Sequence, residues 1–475
     1  MRASETWIPR RTPMVYRVVN PATGEQGDAL APLSDAELEA TIARADAARA
    51  TLGALSLDER SAILRRTADL HQERREELAD IIVREVGKPR WQALGEIDFV
   101  VLIYRYYGEE GAQYLADEVI DSKRGRTAIV RPTPLGALLG IMPWNFPFYQ
   151  IARFAAPNLL AGNTILLKPA SQCPESSAAI AAILAEAGLP EGAYQNLFLE
   201  SARIEGVIAD PRVRGVSLTG SEAAGRSVGE LAGRYLKPVV LELGGSDPFI
   251  VLSVDRMEDA ITAAFNSRLH NSGQACNGAK RFIIIDELYD AFRDAFVGAL
   301  AAAPVGDPDL EGVRVGPMSS VAAAEELEQQ VARAVADGAK LTLGDGVADG
   351  AFFRTTALEE VPVGSGTSQT EFFGPVAQFY RVGSEAEAIE LANDIPFGLG
   401  SYLFTTDREQ AFRVADALDT GMVYVNESLA DSPELPFGGT KASGFGRELG
   451  RYAISEFLNQ KLIHLPSEAD WPVAR

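Results

Sequence analysis

The stretch "PVVLELGGSDPFIVL", residues 238–252, decides how this chain folds. It holds two short apolar runs, "PVVLEL" and "PFIVL", with Gly244, Gly245 and Pro248 interrupting them. Apolar runs of this length bounded by turn residues suit buried strands better than helices. Glu242 stands at the end of the first run, the place where α/β proteins present functional groups. Taken by itself it is better explained as a capping or turn glutamate.

Outward from this stretch the pattern repeats. Upstream, "ALLGIM", "TILLK", "QNLFL" and "VRGVSLT" alternate with Ala-rich helical segments such as "ESSAAIAAILAEAG". Downstream, "RFIII", "AKLTLG", "AQFYRV", "SYLFTT" and "GMVYVN" do the same. Strands separated by helices of that length imply parallel sheets, so the fold class is α/β with two lobes that meet near residues 242–248. The first hundred residues read as helix. Ser34 precedes Glu37 in a capping box, and "DERSAILRRTADLHQERREELADIIVREVGK" has the spacing of one amphipathic helix ending near Gly87. "GAQYLADEVIDSKRGRTAIVRPTPLG", residues 111–136, falls outside this rhythm. With "LNQKLIHL" it makes a small separate sheet, either a surface ribbon or a flap that pairs with another subunit. The expected division is a loose tail over 1–14, one lobe over 15–119 and 136–244, a second over 245–445, and a flap over 120–135 and 455–470.

Composition narrows the function. The chain has 475 residues, 47% hydrophobic and 23% charged, as in ordinary globular proteins. Its formal net charge of -22 disfavours binding to nucleic acid or anionic lipid. No apolar run approaches the ~18 residues of a membrane span. The opening "MRASETWIPRRTPM" has no apolar centre and is not a secretory signal. Two cysteines give no disulfide framework, which fits a reducing cytoplasm. The three histidines, His71, His270 and His464, lack metal-ligand spacing, so no metal site is expected.

Chemistry then rests on "HNSGQACNGAKR", residues 270–281. Cys276 lies among glycines and amides, whereas most free cysteines are buried hydrophobes. A nucleophilic thiol needs access, a base or field that favours thiolate, and donors for the oxyanion it creates. Gly273 and Gly278 permit close backbone approach. "IMPWNFPF" places Asn145 after another strand, either as an oxyanion donor or in an Asx-turn. "SLTGSEAAGRSVGE" runs from a strand through Gly220 and Ser221 into a helix, a phosphate-accommodating N-terminus whose spacing departs from GxGxxG.

Together these residues resemble the aldehyde dehydrogenase superfamily. The resemblance runs from "RVVNPATGE" near residue 15 to about 465, through "PWNFP", "LLKPAS", "LTGS", "LELGGSDP", "NSGQAC", "EFFGPV" and "PFGGTKASGFGRE" in order. Glu242 and Cys276 are 34 residues apart, also like the family. The resemblance implies two α/β lobes, one Rossmann-like for the cofactor and one catalytic, with a small β flap joining a homodimer or homotetramer. It implies that Cys276 attacks an aldehyde, that Asn145 and the Cys276 amide hold the oxyanion, and that Glu242 activates the water that hydrolyses the thioester. A cofactor site follows: Trp144, Asn145, the Lys168–Pro169–Ala170–Ser171 segment, Gly220, Ser221, Leu243, Glu371 and Phe373. With Ser171 where a glutamate would repel a 2′-phosphate, and Lys168 beside it, NADP is expected to be accepted beside NAD, or preferred.

For the substrate, "LELGGSDPFIVL", "NPATGE" and "SGFGREL" look most like bacterial succinate-semialdehyde dehydrogenases. Arg153 then becomes a clamp for a distal carboxylate, against the plain reading of a helix-surface ion pair. Ser432 would donate to the same carboxylate. His270 occupies a position where some relatives carry arginine, which makes carboxylate binding weaker or pH-sensitive, or passes the task to Arg268. Glutarate semialdehyde, a broader aldehyde set, and a cysteine esterase without redox role are the alternatives. Cys173 reads as inert packing.

Overall fold

The computed structural model describes residues 15–122 and 126–466; the tail read over 1–14, flap residues 123–125 and the end of the flap at 467–470 lie outside the described residues. The first lobe is built on a six-stranded sheet. From one edge its strands are Tyr194–Asn196, Thr164–Lys168, Ala137–Ile141, Val213–Thr219, Val239–Glu242 and Gly444–Phe445. The first five run parallel, and the last pairs antiparallel with Leu241 and Glu242. Chain order reverses between Ala137–Ile141 and Val213–Thr219. That is the switch point at which open α/β sheets form a crevice beyond their carboxyl ends. Asn145 and Gly220 both follow strands that flank it.

The second lobe carries a seven-stranded sheet, ordered Lys340–Leu343, Thr356–Glu359, Val376–Val382, Arg281–Ile285, Pro248–Val251, Tyr402–Phe404 and Tyr424–Val425. All neighbours are parallel except the first pair. Its core is aromatic: Phe249 stacks on Phe404 at 4.9 Å and meets Phe282 at 5.4 Å. Such pairs add ~0.5–1.5 kcal/mol each beyond the area they bury. They make a rigid floor under the loop that precedes Arg281.

Ser34 and Glu37 form the expected capping box on helix Asp35–Ala54. The single long helix expected after it is two, Leu57–Glu73 and Arg75–Val86, broken where Arg74 leaves helical geometry at φ -105° and ψ 18°. The break turns Leu64, Ala68, Leu78 and Ile82 all into the core. Apolar spacing continues across Arg74 with no Gly or Pro, which hides the break in the sequence. Gly87 does end the second helix, at φ 75°.

The outlying segments form a three-stranded antiparallel sheet, Glu118–Ser122, Arg126–Pro134 and Leu458–Leu465, with Val130 opposite Leu462. Val119 and Leu462 are exposed on it. Among the described residues no helix is long and apolar enough to cross a membrane, and no group of His, Cys, Asp and Glu could hold a metal ion.

Candidate active site

Cys276 lies in the loop between helix Met257–Arg268 and strand Arg281–Ile285, at the entrance to the second sheet. Buried cations hold that loop by its carbonyls. Lys280 Nζ donates to the oxygens of Ala275, Cys276 and Gly278 at 2.7–3.1 Å. Arg268 donates to Ala279 and Gly273 oxygens, and Arg281 to those of Ser246, Leu391 and Ala392. Asn271 and Ser272 adopt left-handed backbone at φ 50° and 54°, a strain that only a tightly specified loop sustains. Gly273 is needed because a Cβ there would overlap the Gly374 backbone. The glycine and amide richness around the cysteine is thus a packing requirement as well as an access requirement.

The first lobe meets this loop through amides. Asn145 Nδ2 donates to Gln274 O at 3.1 Å, and Asn271 Nδ2 donates to Asn145 O at 2.9 Å. A primary amide has two hydrogens, so Asn145 keeps one for another acceptor. Among the described residues nothing accepts from the Cys276 backbone N–H. These two donors lie in the same loop contact and suit an oxyanion.

Glu242 is buried with neither carboxylate oxygen hydrogen-bonded. Burial pushes its pKa well above the usual carboxylate range, although Arg153 pulls it down. Burial likewise pushes the Cys276 thiol up to about 12, against the opposing pull of Arg153 and Lys280. Burial thus favours the neutral thiol, and the Glu242 carboxyl group lines the same cavity.

That cavity, about 560 Å³, opens at the switch point and is lined by Glu242 and Cys276 together with Trp144, Asn145, Gly220, Ser221, Leu243, Glu371 and Phe373. The Trp144 and Phe373 rings meet edge to face at 5.9 Å. Ser221, on the cavity wall, caps helix Glu222–Arg234 by accepting from the Ala224 amide. Gly225 lets that helix settle on Leu243, since a Cβ would lie 2.6 Å from Leu243 Cδ2. Glu371 is held by Lys280 at 3.3 Å and accepts from the Gly245 amide at 3.2 Å. Phe372, its neighbour, is core.

A model of the aldehyde dehydrogenase family matches residues 7–463. The chain belongs to the aldehyde dehydrogenase family. A succinate-semialdehyde dehydrogenase [NADP(+)] of Deinococcus radiodurans is 48% identical over 94% of each chain. A solved succinic semialdehyde dehydrogenase of Streptococcus pyogenes, in complex with NADP+, superposes with TM-score 0.92 at 37% identity, over 95% of this chain and 100% of that one. Aldehyde dehydrogenase 21 from Physcomitrella patens, in complex with the reaction product succinate, gives 0.92 at 31% identity, over 99% and 98%.

Other expected residues of this aldehyde dehydrogenase are not on the lining of this cavity. Of the Lys168–Pro169–Ala170–Ser171 segment none lines the cavity; Gln172, one residue on, does. Lys168 is buried, donates to Pro169 O, and has no carboxylate partner among the described residues. Arg153 is neither at the cavity wall nor on a helix surface. It is sealed, ion-paired with Glu448, donates to Tyr149 Oη at 3.2 Å, and stacks 4.3 Å from the Phe437 ring centre. Helix Tyr149–Ala161 is set in place by Glu96, which accepts from the Phe148 and Tyr149 amides and pairs with Lys88. Ser432 is turned to Glu434. His270 has its pKa pushed down to about 3 by burial and by Lys88, which favours the neutral ring. Arg268 donates to the Ala279 and Gly273 carbonyls. Cys173 is buried as expected, its thiol raised by burial.

Sequence reading missed Asp431, which accepts from Asn277 Nδ2 at 2.9 Å and from Tyr424 Oη at 2.5 Å. Nothing local marks it, because its partners are 154 and 7 residues away. Glu448 stands in "SGFGREL", 295 residues from Arg153, and only the fold brings the two together.

Proposed function

We propose that this aldehyde dehydrogenase oxidises succinate semialdehyde to succinate with NADP+ as the preferred electron acceptor. The observation that carries the catalytic reading is the shared cavity of Cys276 and Glu242. The substrate and cofactor readings are supported by the relatives' activities, by Ser171, and by Lys168, which has no carboxylate partner among the described residues, at the strand end where a 2′-phosphate would lie.

The residues present fit a dinucleotide. Thr219 Oγ1 and Gln172 Nε2 are buried, unpartnered and on the cavity wall, and the Ser221-capped helix supplies free amides. Trp144, Lys168, Ser171, Gly220, Ser221, Leu243, Glu371 and Phe373 would hold it. When bound, NADP+ supplies the acceptor for the two electrons and hydrogen that the aldehyde carbon loses.

Glu242 takes the proton of the Cys276 thiol, directly or through water, and the thiolate attacks the carbonyl carbon. Asn145 Nδ2 and the Cys276 amide receive the oxyanion. After oxidation the substrate is a thioester on Cys276. Glu242 gives up that first proton to solvent and then removes a proton from water as it adds to the thioester carbonyl; the C–S bond breaks, the Cys276 sulfur leaves as thiolate, and the acid departs. A positioned base contributes ~10²–10⁴-fold to such a step. Burial raises the pKa of Glu242, the direction that favours proton acceptance.

In this proposal the protein is cytoplasmic, where free Cys173 and Cys276 remain reduced. It is a homodimer or homotetramer joined through the sheet that exposes Val119 and Leu462. Absorbance at 340 nm with succinate semialdehyde, glutarate semialdehyde and butanal, each with NADP+ and NAD+, tests the reading. Succinate semialdehyde with NADP+ is expected to give the highest kcat/KM. A higher value for glutarate semialdehyde, or reduction of NAD+ alone, overturns it.

A further inference from the structure

Helix Tyr149–Ala161 lies over the first sheet in a register that the neighbouring contacts fix. Gly140, Ser217 and Val240 stand side by side on three adjacent parallel strands, and Thr219 and Glu242 pair in the same way one step further on. The helix covers the first of these rows. A Cβ at Gly140 would overlap Phe154, and Ser217 Oγ donates to Glu448 Oε1 at 3.4 Å. Glu448 pairs with Arg153, and Val240 shares a small cavity with both. Because the helix joins two parallel strands, it runs against their direction. Moving from Val240 to Glu242, on the same face of the sheet, advances about 6.6 Å toward the strand's carboxyl end. One helical turn of about 5.4 Å back from Arg153 and Phe154 reaches Gln150, on the same face of the helix. Gln150 and Glu242 therefore occupy matching places, and both line the cavity that holds Cys276.

Gln150 is 1% exposed, and its Oε1 has no hydrogen-bond partner. Neither oxygen of Glu242 has one. The other buried, unpartnered polar atoms on this wall are Asn145 Oδ1, Gln172 Nε2 and Thr219 Oγ1. Asn145 belongs to the oxyanion contact, and Gln172 and Thr219 fit a dinucleotide. Gln150 has no part in either. Among the described residues no hydrogen bond joins it to Glu242, and none could form between an amide oxygen and a carboxylate, since both accept. A molecule that satisfies the two together must donate twice. Water does so, and water is the reactant that Glu242 has to hold. A buried acceptor without a donor weakens a fold. Here a reactant would supply the donor.

We propose that Gln150 is a positioning residue for thioester hydrolysis: its Oε1 accepts one hydrogen of the water whose other hydrogen Glu242 holds, which aims the water's lone pair at the acyl carbon on Cys276. The proposal rests on the reading of Glu242 as the base. As the new C–O bond forms, the hydrogen on the Glu242 side passes to Glu242 as a proton. The C–S bond then breaks and Cys276 leaves as thiolate. The hydrogen on the Gln150 side stays with the product acid, so Gln150 itself exchanges no proton. No electrons are transferred in this step.

The test follows the acyl-enzyme itself in wild type, Gln150→Met, Gln150→Leu and Glu242→Gln. p-Nitrophenyl acetate acetylates Cys276 with release of nitrophenolate and needs no cofactor. Intact-mass spectrometry then measures loss of the acetyl group once excess ester is removed. Both Gln150 variants are expected to lose it about tenfold more slowly than wild type, or slower still. NADPH formation in a single turnover of succinate semialdehyde, with enzyme in excess, should change less than about threefold. Affinity for NADP+, read by tryptophan quenching, should be equally unaffected. Both variants should resist urea at least as well as wild type, because an apolar group replaces an unpartnered buried amide. Acetyl loss at the wild-type rate in both overturns the proposal. Weakened NADP+ binding with normal acetyl loss also overturns it, and would set the amide against the nicotinamide carboxamide. Equal slowing of acetyl loss and of single-turnover NADPH formation, with a lower urea midpoint, marks a merely structural role and overturns it too. Slow acetyl loss in Glu242→Gln alone removes this proposal and keeps the base. Normal loss in Glu242→Gln removes both.

Discussion

Arg153 and Glu448 form an ion pair sealed from solvent, and the charges of both bear on Glu242, the Arg153 cation lowering its pKa and the Glu448 carboxylate raising it. The two residues come from a helix and a loop some three hundred positions apart, and after burial their charges are the largest influences on Glu242, the proposed base. Replacing Arg153 with Ala leaves Glu448 buried and unpaired, which costs about 3–5 kcal/mol. Chemical denaturation should show that loss, and the double variant Arg153→Met with Glu448→Met should recover most of it. Activity should fall to a similar degree with butanal and with succinate semialdehyde, because the damage is to Glu242. A loss confined to carboxylate-bearing aldehydes would instead restore the clamp expected from the sequence.

Glu242→Gln removes the base but keeps the shape. The thiol can still be acylated with help from solvent base at alkaline pH, and the thioester then persists. Stopped-flow absorbance at 340 nm should give a burst of about one reduced cofactor per active site, followed by steady turnover reduced ~10²–10⁴-fold. Fast turnover with no burst would show that another group activates water. In the unliganded enzyme the thiol is held up to about 12. Alkylation of Cys276 should therefore keep rising between pH 7 and 10, and a plateau near 8.5 would contradict that.

How much of this was legible in the sequence follows from how far apart the interacting groups are. The strands "TILLK", "VRGVSLT" and "RFIII" announce themselves because a buried parallel strand is a short apolar run, and all three appear within a residue of their expected bounds. Thr356–Glu359 is buried yet carries a threonine and a glutamate, and it was missed. Cys276, Glu242 and Asn145 were found through motif order, and the fold brings them to one cavity. Arg153 was found too, but its partner could not be, since Glu448 arrives through the chain's return to the first sheet at Gly444–Phe445. Charge matching inside a protein is a property of three-dimensional neighbours, and no local pattern encodes it.

His270 gives a prediction with a definite sign. Burial and the nearby Lys88 cation depress its pKa to about 3, while in the unfolded chain it titrates near its ordinary value of 6.5. Between those values the unfolded state binds a proton that the folded state refuses, so falling pH favours unfolding. Relative to His270→Asn, wild type should lose about 1.4 kcal/mol of stability per pH unit from pH 6 to pH 4. Urea titrations of both proteins at several pH values measure it. The same depression means that KM for succinate semialdehyde should show no inflection near 6.5 arising from His270, and one that vanishes in the Asn variant would refute the assignment.

Gly244 tests the cofactor side without touching the reacting atoms. A Cβ at this position would overlap the Glu371 carboxylate, and Gly244 is not among the residues with positive φ, so the whole effect of adding a methyl group is steric. Glu371 would have to leave Lys280 and the Gly245 amide, its present partners. Losing a charge-assisted hydrogen bond of that kind costs about 1.5–3 kcal/mol. Gly244→Ala should accordingly raise KM for NADP+ about 10–100-fold, with kcat for succinate semialdehyde affected less once the cofactor is saturating. Cofactor binding followed by quenching of tryptophan fluorescence gives the same quantity without turnover, since Trp144 lines the cavity opposite Phe373. Unchanged affinity in both measurements would take Glu371 out of the cofactor site and leave it as a clamp on Lys280 alone.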